Sequence, residues 1–123
     1  MRSFLLLSIA ILGFWACTKE SKPTVTITSP TNGSTMMSGD SLLTIKGTVA
    51  DEDQLHEYTI SLKNTTANTE VFTHSGHSHT TSINIDTTIV LKVSEHSEFE
   101  LSIMASNHGG ANTTEKVVFD KQP

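Results

Sequence analysis

The sequence predicts an all-β domain, an antiparallel β-sandwich of about seven short strands, preceded by an export signal peptide. Three observations predict the β-sandwich. Apolar residues recur with period two along most of the chain, and no segment carries a helical period of useful length. Clusters of Gly, Pro, Asn, Asp and Ser break that alternation roughly every 8–12 residues. Thr and Ser make up 32 of the 107 residues from Cys17 onward, a composition suited to exposed sheet faces and turns. An up-and-down barrel satisfies the same pattern, because periodicity does not distinguish a closed sheet from two packed ones.

The elements follow in order. Arg2 and the apolar run Phe4 to Phe14 read as an export signal over residues 1–16. The run is about 11 residues, too short for a bilayer core that needs about 20. Residues 17–23 read as Cys17 and a short tether, and residues 24–121 as the folded domain. The first strand alternates through Thr24-Val-Thr-Ile-Thr28 and stops at the turn cluster Ser29-Pro-Thr-Asn-Gly33. The second, Ser41 to Val49, puts Leu43, Ile45, Gly47 and Val49 on one face. The acidic loop Asp51-Glu-Asp53 leads to a third, His56 to Leu62, whose inward parity is His56, Tyr58, Ile60 and Leu62. Glu70 to His74 and Thr80 to Asp86 are the fourth and fifth. Ile89 to Val93 reads as a strand or a covered crossing segment. Phe99, Leu101 and Ile103 mark a core strand. Asn107 to Asn112 is a turn, and Thr113 to Asp120 the last strand.

Charge narrows the partners. The net charge is −5, and Arg2, the only arginine, lies in the signal, as does the only tryptophan, Trp15. Seven lysines against 13 carboxylates neutralise phosphate poorly, so nucleic acid is excluded as a partner, and so is an electrostatic grip on anionic lipid. With one cysteine no internal disulfide forms, and the domain relies on its core or on a metal.

Four resemblances add to this reading. Phe14-Trp-Ala-Cys17 resembles a bacterial lipobox, which implies that Cys17 is lipidated and becomes the mature N-terminus; a free or intermolecularly paired thiol is the alternative. Thr18-Lys-Glu-Ser21 resembles the short signal that sends some lipoproteins to the outer membrane and its surface, leaving the periplasmic and cell-surface faces both open. Pro23 to Gly33, Gly39 to Asp51 and Ala105 to Thr113 look like the opening strands and closing turn of bacterial immunoglobulin-like modules. More narrowly, Leu55-His-Glu57, His77-x-His79 and Asn107-His-Gly109 resemble a family of small bacterial lipoproteins with an immunoglobulin-like domain and recurring histidines. That family implies the architecture but no settled activity. The chain departs from it at Asn107, where an Asp is usual, and at Gly110-Ala111, which lengthens the turn.

The six histidines carry the chemistry. In a seven-strand sandwich, loops alternate between two ends, so residues 51–55, 75–80 and 107–112 share one pole. His56, His74, His77, His79 and His108 then gather there, and His96 falls at the other pole, solvated. Residues i and i+2 of an extended chain point to the same side about 6.5–7 Å apart, so His77 and His79 grip one ion together, with Gly76 giving the backbone freedom to bring His74 round. Imidazole suits Zn²⁺ and Cu²⁺. Zinc leads and copper(II) follows, because a blue-copper site needs a cysteine ligand and Cys17 is at the anchor. Plainer readings stand beside these: a polar His-rich loop, a core His56, a His108 that only shapes its turn, and Asp51 and Asp53 as loop solvation or as a completing carboxylate. No serine sits in a nucleophile elbow, and Glu57 follows His56 on the opposite face, so no enzyme is expected.

The expected function is a membrane-anchored envelope lipoprotein that captures, buffers or senses zinc or copper. The alternative is a metal-free adhesion or scaffold module for another envelope or extracellular protein. Neutral imidazole ligands make binding fail as pH falls through about 6–6.5. Zinc titrations at about pH 7.5 and about pH 5 are expected to show a large loss of affinity at the lower value; equal affinities contradict an imidazole site.

Overall fold

The computed structural model describes residues 20–123. The export signal and Cys17 lie outside the described residues. Eight strands follow: β1 (Thr24–Ser29), β2 (Thr35–Met36), β3 (Leu42–Ala50), β4 (Leu55–Asn64), β5 (Thr69–His77), β6 (Ser82–Val90), β7 (Ser97–Asn107) and β8 (Asn112–Lys121). They form two sheets, ordered β1-β3-β6 and β2-β8-β7-β4-β5. All pairings are antiparallel except β2 beside β8. The β-sandwich is therefore the observed architecture, with one more strand than expected because Thr35–Met36 adds a short parallel edge.

Alternation builds the core. Val25, Leu43, Ile45, Val49 and Ile85 of the first sheet face Ile60, Leu62, Phe99, Leu101, Ile103, Val117 and Phe119 of the second. Phe99 and Phe119 stack with ring centroids 5.5 Å apart. The residues between them on each strand carry Thr, Ser and charge outward, as one-sided antiparallel sheets require. The far pole is closed by Lys121, buried with its ammonium donating to the carbonyls of Met37, at 3.1 Å, and Gln122.

Three expectations are corrected. Residues 75–77, expected in a loop, continue β5, and Ile89 and Val90 continue β6. Leu91 is then buried as a crossing segment. His56 is not on the inward face of its strand. Leu55 is fully buried, and a bulge places Leu55 and Glu57 opposite the consecutive residues Asn107 and Ser106. The extra residue, His56, is exposed, and the inward parity restarts at Tyr58.

Gly47 leaves no room for a side chain between β1 and β3. A Cβ there would lie 2.5 Å from the Thr26 carbonyl oxygen, a backbone atom that cannot move without disturbing the ladder. Gly47→Ala is expected to cost about 1–3 kcal/mol of stability by chemical denaturation. An unchanged unfolding midpoint would contradict this packing.

Candidate metal centre

The pole where β3, β5 and β7 end is built from three loops whose backbones hold one another. Asp51 N–H donates to Thr81 C=O at 3.0 Å, and Leu55 N–H donates to Thr80 C=O at 2.9 Å. Ser78 N–H donates to His56 C=O at 3.0 Å, and His108 N–H donates to Gln54 C=O at 3.1 Å. Gly110 takes a φ of +86°, which its missing Cβ permits, and closes the last turn onto Asn107 C=O at 3.1 Å.

Beneath these loops lies a buried polar pair. Asp51 is 7 % exposed and Asn107 2 % exposed. The Asn107 amide donates to Asp51 Oδ2 at 3.0 Å and to the Ser21 carbonyl at 2.8 Å, while its Oδ1 accepts Ala111 N–H at 3.0 Å. Asp51 Oδ1 accepts the Ser21 hydroxyl and the Asp53 N–H. Burial by itself would raise the Asp51 pKa. Hydrogen bonds from Ser21, the Asp53 backbone, Asn107 and the Glu52 backbone favour the carboxylate more, and the net shift is downward from 3.8. Asp51 therefore neither solvates its loop nor points to a metal: it is a structural acceptor.

On this frame four exposed imidazoles meet. The His56 ring lies 4.9 Å from that of His108 and 5.6 Å from that of His77, centroid to centroid. The rings of His79 and His108 stack at 5.2 Å, and Nδ1 of His79 and Nε2 of His108 share a hydrogen bond at 3.1 Å, which an ion bound by both would replace. Two nitrogens bound to one ion at about 2.0–2.1 Å stand roughly 2.9–3.4 Å apart for angles from 90° to tetrahedral, so this pair has the spacing of two ligands. Among the described residues, no three His, Cys, Asp or Glu side chains stand ready to hold one ion as they lie. A third ligand requires a rotation of the exposed His56 or His77 ring.

His74 stands apart. Residues three apart on one strand face opposite ways, and β5 puts His77 opposite Glu57 on the outer face and His74 opposite Ile60 on the inner one. The His74 ring sits 6.0 Å from that of Tyr58, and both residues line a cavity of about 330 Å³ between β5 and β6. Gly76 does not turn the chain; its missing side chain leaves the place where the Tyr58 ring lies, since a Cβ there would be 2.6 Å from it. His96, at the other pole, pairs with Asp120 at 3.3 Å. Glu57, expected to face away from His56, keeps its outward parity and is the ladder partner of His77 there; it is His56 that the bulge brings out to the same side.

Residues 23–116 match the sequence profile of the family described as bacterial Ig domain. No curated protein matches the chain. Among solved structures, CopC from Methylosinus trichosporium OB3b is similar, with a TM-score of 0.48 and 11% identity over 81% of this chain and 95% of that one.

The lowered Asp51 pKa sets a pH dependence. Its contribution to stability is complete above the ordinary value of 3.8 and is lost as pH falls below it, through the lower native value. Asp51→Asn is expected to cost about 1–3 kcal/mol at neutral pH, and to flatten the decline in unfolding free energy at acid pH. Profiles for variant and wild type that run parallel below 3.8 would contradict the assignment.

Proposed function

The chain belongs to the bacterial Ig domain family, and we propose that it uses one pole of that sandwich to bind a divalent transition metal. The observation that carries this reading is the 3.1 Å approach of His79 and His108 inside a group of four exposed imidazoles. His79 and His108 are the first two ligands, His56 the third and His77 the fourth. An all-imidazole set suits Zn²⁺ first and Cu²⁺ second, and it carries no thiolate or thioether that would select copper(I). Glu57, beside His77, supplies a carboxylate neighbour that orients an imidazole or accepts from a metal-bound water.

The role is binding and not catalysis: capture, buffering or sensing of an ion at the cell envelope. Ligands carried on exposed loop and strand ends, on a frame that is satisfied without them, suit an ion that exchanges. The lipobox-like Phe14-Trp-Ala-Cys17 supports a lipid anchor at Cys17, and with it an outer-membrane location.

Metal analysis of the purified full chain is expected to find about one equivalent of zinc or copper(II). Replacing both His79 and His108 by alanine is expected to weaken binding roughly a hundredfold or more, while His74→Ala leaves it unchanged. Less than about 0.2 equivalents bound by the wild type, or equal affinity in the double variant, would end the metal reading.

A further inference from the structure

The chain entering β1 is not a loose tether. Pro23 is buried, and Thr24 opens β1 opposite Ala50, at the pole that carries the histidines. Before it, the Ser21 hydroxyl is held by Asp51 and the Ser21 carbonyl by the Asn107 amide at 2.8 Å. Both partners are buried, and Asn107 is the residue next to His108. The entering chain and the candidate metal site are thus fixed to the same two loops.

We propose that this docking turns the histidine pole toward a lipid bilayer, so that the ion is exchanged in the layer between domain and membrane. The proposal rests on the lipid-anchor reading of Cys17 and adds an orientation to the metal reading. Three residues lie between Cys17 and Ser21, so four Cα-to-Cα steps join them, a span of at most about 14 Å. The sandwich is about 30–36 Å long, at about 3.3 Å per residue along β7. An anchor at Cys17 cannot reach round to set the far pole, with Met37, against the membrane while Ser21 stays docked. Charge does not supply the orientation: Glu20, Glu52 and Asp53 lie at this pole against Lys22, and they repel an anionic surface. The covalent tether and its two hydrogen bonds do.

The test uses the full chain, produced in a host that processes export signals and reconstituted in phosphatidylethanolamine–phosphatidylglycerol vesicles containing headgroup-quencher lipid. A dye is placed at Gln54→Cys on the histidine pole, or at Met37→Cys on the other; both positions are exposed. The Gln54 dye is expected to be quenched several-fold more than the Met37 dye. A Gly/Ser insertion after Lys19, outside the docked segment, is expected to shrink that difference. Equal quenching, stronger quenching at Met37, or a chain not retained by the vesicles overturns the proposal. Metal content read on the same samples separates the two ideas, since loss of the ion alone leaves the quenching difference in place.

Discussion

A hydrogen bond between two residues 56 apart in sequence, from the Asn107 amide to the Asp51 carboxylate at 3.0 Å, holds the histidine-bearing end of this molecule together. A buried carboxylate without partners would cost several kcal/mol. Here it accepts from Ser21, Asp53 and Asn107, while Asn107 spends its remaining groups on Ser21 and Ala111. One satisfied network therefore fixes the loop after β3, the loop after β7 and the entry to β1. Gln54, His56 and His108 take their backbone positions from those loops. The amide at Asn107 suits its place: it donates to Asp51, whereas an aspartate there would set a second carboxylate against the first.

The faces of the sandwich were legible because alternation is a local signal. Leu43, Ile45 and Val49, and Phe99, Leu101 and Ile103, read as core faces from spacing alone, and they are buried. Parity failed where one residue was added without any mark in the sequence. The bulge turns Leu55 inward and moves His56 outward, to the face that Glu57 and His77 share, and the register shift and the complete burial of Leu55 reveal it. The pole shared by four histidines followed from counting strands. The exclusion of His74 followed from the true length of β5, which turns a flexible approach into an i, i+3 pair on opposite faces. The Asp51–Asn107 pair had no sequence signal as a pair. Half of it was visible: Asp51 accepting from the N–H two residues on is the Asx-turn geometry that Asp-x-Asp runs favour.

The division of labour accounts for the character of the proposed site. The frame is buried, apolar between the sheets and polar only where every group is paired, so it stands without an ion. The imidazoles lie outside it, exposed, with one pair already at ligand spacing. Binding then requires only side-chain rotation at His56 or His77, not loop folding, and its cost in conformational entropy is confined to those rings. Such a site stabilises the native domain by mass action when an ion is present.

Whether the imidazoles share one ion is the central claim, and X-ray absorption at the metal edge of the zinc- or copper(II)-loaded chain tests it most directly. The account predicts a first shell of nitrogen and oxygen at about 2.0–2.1 Å, with the outer-shell scattering of at least two imidazole rings, which His79→Ala reduces. A first shell of oxygen alone, without imidazole scattering, would contradict it.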